Sequence, residues 1–386
     1  MSRLRVLVAP DKFKGTLTAA QAAAAIAAGV AEVWPDACCT LLPFADGGDG
    51  TVDAALAAGA ALRVTTVSGP LGDPTPARWA VLGSTAIIEM AEASGLRLVS
   101  PGPHSARHAH SHGVGELILA ALDEGSGTIV VGIGGSATTD GGFGALRALG
   151  AVFLDGEGHP VDDTAGLERV ERLDLSRMDR RVADTRIVLC SDVTNPLLGE
   201  HGAAAVFAPQ KGADGDAVAR LERGLTRFSD VVRRETGIDL ATERFGGAGG
   251  GIAGGLMAVC GARPGNGVDV VADLVGLDRH LRDADLVVVG EGSMDAQSLM
   301  GKAPIGIARR AADLGVPAVA VVGRSGLRAD ELAAYNIGAV GDASVAASSV
   351  DEALRDPARW VTSATVAALT GRRYTARGDD LPPPRR

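Results

Sequence analysis

The β-branched run Thr128-Ile-Val-Val131 ends abruptly in Gly132-Ile-Gly-Gly-Ser-Ala-Thr-Thr-Asp-Gly-Gly142. This transition constrains the chain more than any other feature. A short apolar strand is followed at once by five glycines, two threonines, a serine and an aspartate. Glycine turns at strand ends let backbone N–H groups approach anionic oxygens. The hydroxyls and the carboxylate are the groups that phosphoryl transfer uses for positioning and metal binding. A plain tight turn would use the same glycines. Three further segments have this character: Ala9-Pro-Asp-Lys-Phe-Lys-Gly15, Phe44-Ala-Asp-Gly-Gly-Asp-Gly-Thr51 and Gly290-Glu-Gly-Ser-Met-Asp-Ala-Gln297. Each follows an apolar run: Leu4–Val8, Thr40–Leu42 and Asp285–Val289. Open parallel α/β sheets bind ligands beyond the carboxyl ends of their strands, so four such exits predict one large polar ligand site.

The 386 residues suffice for two domains with full cores, and 46% apolar content excludes a disordered chain. Aromatics are only 3% and the net charge is −10, which argues against a nucleic-acid surface. Met1-Ser-Arg-Leu-Arg5 runs straight into a strand, so no signal peptide is read, and no apolar run is long enough for a membrane span. Cys38, Cys39, Cys190 and Cys260 form no CxxC pair, which predicts reduced thiols and a cytoplasmic setting.

Along the chain, strand Leu4–Val8, a helix over Ala19–Val33, strand Thr40–Leu42 and a helix over Thr51–Ala58 open a β-α-β-α pattern. Thr18 and Gln21 form a capping-box pattern. The pattern resumes with strand Leu286–Val289, helix Ile305–Leu314, strand Ala318–Val322, helix Ala329–Tyr335, strand Gly338–Val340 and one helix over Val350–Leu369. The fold class is therefore α/β: a doubly wound, flavodoxin-like parallel sheet with a large inserted α/β lobe. Residues 1–61 and 281–372 are expected to build the doubly wound domain, 62–280 the insertion, and 373–386 a disordered tail. The topology of the insertion stays open.

Familiar nucleotide signatures mostly fail. Gly301-Lys-Ala303 lacks the hydroxyl and loop of a P-loop. Gly249-Gly-Gly-Ile-Ala-Gly254 matches G-x-G-x-x-G, but Thr242-Glu-Arg-Phe245 before it is no buried strand, so a glycine-rich helix entry or loop is the better reading. Asp192-Val-Thr-Asn-Pro196, after strand Ile187–Cys190, offers a carboxylate, a hydroxyl and an amide for Mg²⁺ or substrate hydroxyls; the plainer reading is an Asx-turn. Lys211 in Pro209-Gln-Lys-Gly212 could hold a phosphate or carboxylate, though a lone lysine is more often solvated. His104, His108, His110 and His112 crowd a proline-containing segment that reads as an exposed loop rather than a metal site.

As an ordered set, these segments resemble the type I glycerate kinase family. The matches are Ala9–Gly15, Ala45-Asp-Gly-Gly48, Ser68-Gly-Pro-Leu-Gly72, Glu89-Met-Ala-Glu-Ala-Ser-Gly-Leu96, Gly132–Gly142, Asp192-Val-Thr-Asn-Pro-Leu197, Phe207-Ala-Pro-Gln-Lys-Gly-Ala213, Gly290–Gln297 and Gly301-Lys-Ala-Pro304. They fall in family order from residue 4 to about 325. The resemblance implies ATP- and Mg²⁺-dependent phosphorylation of glycerate, at the 2-position, by a two-lobed α/β enzyme with its site in the cleft. The chain departs from the family at His108-Ala-His-Ser-His112, where small polar residues are usual, at Val114, often Thr, and at Thr139, usually Asn.

On this reading Gly132, Gly134, Gly135 and Ser136, with Gly47 and Gly48, bind the cofactor phosphates. Lys14 and Lys211 neutralise the transferring phosphoryl or the substrate carboxylate. Asp192 is the expected base and Asp295 the second choice. Asp11, Thr194, Asn195 and Gln297 are expected to bind substrate, and Asp46, Asp140 and Glu291 the metal. The partner is a small molecule, with no nucleic acid and no membrane, and a homodimer is left open. The rivals are a kinase for another small hydroxy acid and a catalytically silent metabolite-binding paralogue.

Overall fold

Apolar runs without alternation belong to strands covered on both faces, and the chain follows this rule in two separate units. The structure, a computed structural model, describes residues 3–347, 349–370, 372 and 374. The expected tail over 373–386 lies, Tyr374 apart, outside the described residues. One unit runs to Asp46 and resumes at Val268; the other is Gly47–Gly267. The divisions thus fall at 46/47 and 267/268 instead of 61/62 and 280/281. Helix Thr51–Ala57 explains the first shift, since it packs on strands Pro74–Leu82 and Thr85–Glu89 of the second unit.

The first unit holds a five-stranded sheet in the order Cys38–Leu41, Arg5–Pro10, Leu286–Met294, Ala318–Ser325, Ile337–Asp342. Every pairing is parallel. Numbered along this unit the order is 2-1-3-4-5, the flavodoxin-like arrangement expected from the sequence. Val6–Ala9 and Leu286–Val289 are almost wholly buried. Helix Ala19–Val33 starts where expected: Thr18 Oγ1 accepts the Gln21 N–H at 3.2 Å and the Gln21 side chain accepts the Thr18 N–H at 2.9 Å. Gly29 lets this helix meet Pro357–Leu369, because a Cβ there would lie 2.6 Å from Thr365 Cβ.

Two local expectations are corrected. The expected helix Val350–Leu369 is two helices, Val350–Arg355 and Pro357–Leu369. Pro357 cannot continue a helix but suits a first position, and Asp356 caps the new start by accepting the Arg359 N–H. The strand expected to end at Val289 continues to Met294, because Gly290–Met294 still pair with Val321–Ser325. Glu291 therefore stands on a strand rather than in a loop.

The second unit's main sheet has the order Arg263–Gly265, Arg186–Cys190, Thr128–Gly132, Thr85–Glu89, Pro74–Leu82, Ala61–Ser68. The first four are parallel and the last three antiparallel. Trp79, Phe143, Phe153 and Phe228 are its largest buried side chains. Gly249–Gly251 enter helix Ile252–Cys260 in left-handed conformations, and a Cβ at Gly250 would lie 1.9 Å from the Thr138 carbonyl oxygen. The G-x-G-x-x-G match is thus a packed helix entry.

Candidate active site

In a 2-1-3-4-5 sheet the strand order reverses between the first and third strands, and the carboxyl ends there form the natural crevice. Those ends are Pro10 and Met294. A cavity of about 280 Å³ opens there, lined by Asp11, Lys14, Asp46, Glu291 and Asp295, all expected site residues. Gln297 is exposed and does not line it.

The cavity concentrates charge of both signs. Asp11 is buried, and loss of water, with Asp46 nearby, pushes its carboxyl up to about 7. Its Oδ1 accepts the Lys12 N–H at 2.6 Å. Glu291 is also buried and raised, chiefly by desolvation, and its Oε1 has no hydrogen-bond partner. A buried carboxylate oxygen without a donor is costly, and a cation can satisfy it. Asp295 closes an Asx-turn, its Oδ1 accepting the Gln297 N–H at 2.9 Å. Among the described residues no group of three or more His, Cys, Asp or Glu forms a metal cage. A Mg²⁺ ion held by one or two carboxylates plus phosphates needs none.

Sequence reasoning passed over Lys12, Lys302 and Arg324, which also line this cavity. Lys12 carries a local signal, since it shares the Asp-Lys-Phe-Lys run with Lys14. Lys302 follows Gly301 without the hydroxyl of a P-loop, so no phosphate-binding pattern marks it. Arg324 is the next-to-last residue of strand Ala318–Ser325, and nothing local marks it.

In the second unit the Gly132–Gly142 loop forms a different site. Gly134, Gly135, Ser136 and Lys211 line a cavity of about 290 Å³ together with Val193, the neighbour of Asp192 and Thr194. Lys211 is 2% exposed, and its Nζ donates to Ser136 Oγ at 2.9 Å and to the Thr138 carbonyl at 2.5 Å. Burial drives its pKa down to about 7, against a smaller opposing pull from Asp140. The Thr138 hydroxyl is buried without a partner. Asp192 and Thr194 are exposed, and Asn195 donates to the His201 carbonyl at 2.9 Å.

Asp140 has a different task from the metal binding expected of it. Its Oδ2 accepts from Ser111 N at 2.8 Å, Ser111 Oγ at 2.7 Å and Gly144 N at 3.0 Å, and its Oδ1 from Gly142 N at 3.1 Å. Four donors occupy both oxygens, so this carboxylate ties the loop to helices His112–Asp123 and Phe143–Ala148. Glu89 does similar work: it accepts the Gly50 and Val52 N–H groups at the start of helix Thr51–Ala57, and burial raises it to about 7. His108 and His110 are both lowered by burial, which leaves them neutral at pH 7.

Packing accounts for several glycines expected to touch phosphate. A Cβ on Gly132 would lie 2.8 Å from the Gly47 carbonyl oxygen, and one on Gly134 would lie 3.1 Å from Gly48 Cα. Gly47 has φ +90°, and its Cβ would stand 2.5 Å from Gly267 Cα and 2.8 Å from Cys190 Cβ. Gly47→Ala should therefore destabilise the protein by about 3 kcal/mol, from positive-φ strain plus backbone overpacking. Urea unfolding measures this, and a loss under about 1 kcal/mol would mean that the loop can shift.

A flavodoxin-order sheet with a mixed-charge crevice at its switch point, and a second unit whose buried lysine donates to a glycine-rich loop, are features of an α/β enzyme. A model of the glycerate kinase family matches residues 6–370. The chain belongs to that family and is a kinase. It is 40% identical to glycerate 2-kinase of Escherichia coli (strain K12) over 91% of this chain and 93% of the relative. It is 42% identical to glycerate kinase of Haemophilus influenzae (strain ATCC 51907 / DSM 11121 / KW20 / Rd) over 83% of this chain and 86% of the relative. The crystal structure of a Salmonella typhimurium LT2 protein named glycerate kinase 2 aligns with a TM-score of 0.82 at 38% identity, over 95% of this chain and 97% of that one.

Proposed function

We propose that the protein transfers the terminal phosphoryl group of ATP to glycerate, giving 2-phosphoglycerate, with Mg²⁺. The observation that carries this reading is Lys211, a buried lysine whose Nζ meets only a hydroxyl and a carbonyl. A small carboxylate is the counter-charge it lacks. Lys211 and Ser136 hold the glycerate carboxylate, and Thr194 and Asn195 its hydroxyls. Asp192 takes the proton of the attacking hydroxyl as the new O–P bond forms and the bond to ADP breaks. Lys14 neutralises the transferring group. Asp46, Asp11 and Glu291 hold the metal, with the unpartnered Glu291 oxygen as the best single fit. Bound Mg²⁺ supplies charge neutralisation on the phosphates. Asp140 is left out of the metal set, since its oxygens are taken. Four free cysteines suit a cytoplasmic setting, and no helix among the described residues is long and apolar enough to cross a membrane.

The test is ADP release from a panel of small hydroxy acids with and without Mg²⁺. Glycerate should give the highest kcat/KM, and EDTA should abolish turnover. No ADP with any acid would favour the silent paralogue. Preference for another acid would move the acceptor and leave the kinase chemistry standing.

A further inference from the structure

The crevice at the sheet reversal has a side that phosphate and metal do not explain. Ala343, Val350, Ala353, Leu354, Pro357 and Val361 line it. They come from the three successive helices Ala343–Ala346, Val350–Arg355 and Pro357–Leu369. Val350 is 44% and Leu354 55% exposed, so this lining carries apolar surface open to a ligand. The same lining carries four cations, Lys12, Lys14, Lys302 and Arg324. A short hydroxy acid is too small and too polar to use such a wall. A bare polyanion would meet Asp11, Asp46, Glu291 and Asp295 as well as the cations.

We infer that this crevice is the nucleotide site, with the adenine ring seated on the apolar wall of the three C-terminal helices and the metal-bound triphosphate among the charged groups. The inference rests on the kinase reading above and adds where its nucleotide binds. One ligand class satisfies all three linings: a flat apolar base, a polyphosphate for the lysines and arginine, and a divalent cation for the carboxylates. It also moves the cofactor away from the Gly132–Ser136 loop, whose cavity then belongs to the acceptor.

The experiment uses the full chain with Mg²⁺ and two calorimetric probes, adenylyl imidodiphosphate and inorganic tripolyphosphate. The double variant Val350→Ser/Leu354→Ser removes apolar contact without adding charge and alters exposed side chains, so the fold should survive, as circular dichroism would check. It should bind the adenine probe about tenfold or more weakly, the usual worth of lost apolar pocket contact, with tripolyphosphate changed by less than about twofold. Val345, 75% exposed on the first helix but outside the lining, is the control: Val345→Asp should leave both probes unchanged. Unaltered binding of the adenine probe by the double variant, in a protein whose wild type releases ADP, would overturn the seat while sparing the kinase reading. Equal weakening of both probes would also overturn it. A wild type that neither binds the adenine probe nor releases ADP would remove both readings together.

Discussion

Lys211→Met is expected to lower kcat/KM for glycerate about 10³-fold, with KM for ATP changed far less, because truncating one partner of a buried charge pair costs about 2–5 kcal/mol. Methionine keeps the length and removes the charge. The effect comes from the environment of the ammonium: it is 2% exposed, and desolvation lowers its pKa to about 7. A carboxylate bound beside it would restore the charged form. At pH 8 glycerate binding should therefore take up a proton, seen as a binding enthalpy that changes with the ionisation enthalpy of the buffer. Stability gives an independent reading. The unfolded chain keeps Lys211 protonated up to its ordinary value of 10.5, while the folded chain loses that proton near 7. Between these values the unfolded state binds more protons, so this group's contribution to wild-type stability rises with pH. The stability of Lys211→Met relative to wild type should thus be highest at pH 7 and below, then fall by up to about 1.4 kcal/mol per pH unit above it. A difference flat from pH 6 to 9 would show that the lysine stays charged in the fold, and the proton uptake would vanish with it.

Asp192→Asn should lower kcat about 10²-fold or more, the usual contribution of a positioned general base, with little change in KM. Asp192 lies two residues beyond the end of strand Arg186–Cys190, beside Val193 of the Lys211 cavity. It is exposed, so its substitution leaves the core intact. Its competitor Asp295 commits Oδ1 to the Gln297 N–H, which fits a turn-forming role. Asp295→Asn should accordingly cost less in kcat. Near-normal turnover in Asp192→Asn would reverse the two assignments.

The regular framework was legible because local patterns and tertiary burial agree in it. Uninterrupted β-branched runs such as Leu286–Val289 have no polar face, so only a sheet covered on both sides can hold them. The Thr18–Gln21 box marked the start of helix Ala19–Val33 without help from distant residues. From such elements the five-stranded order followed. The topology of the second unit was not legible, because register depends on partners that sequence does not name.

The site was legible as a set of segments rather than as roles. Asp-Gly and Gly-Gly exits pointed to Asp11, Lys14, Asp46, Glu291 and Asp295, and the fold brings these five to one crevice. The same rule misread the glycines. Gly47, Gly132 and Gly134 look like parts of a phosphate loop, yet packing by itself requires small residues there. Asp140 and Asp192 both sit in polar segments that follow a strand, but one has four donors on its oxygens and the other faces solvent.

The sequence by itself determined most strands and helices of the first unit, their order in its sheet, and the family. Each depends on residue patterns within a few turns of chain or on motifs in fixed order. Tertiary structure alone decided which carboxylates are buried, that Lys211 has its charge suppressed, and that the helices after Ala343 line the crevice at the other end of the chain from Asp11. Desolvation and donor count are properties of surroundings assembled from distant segments, so no local stretch of sequence carries them.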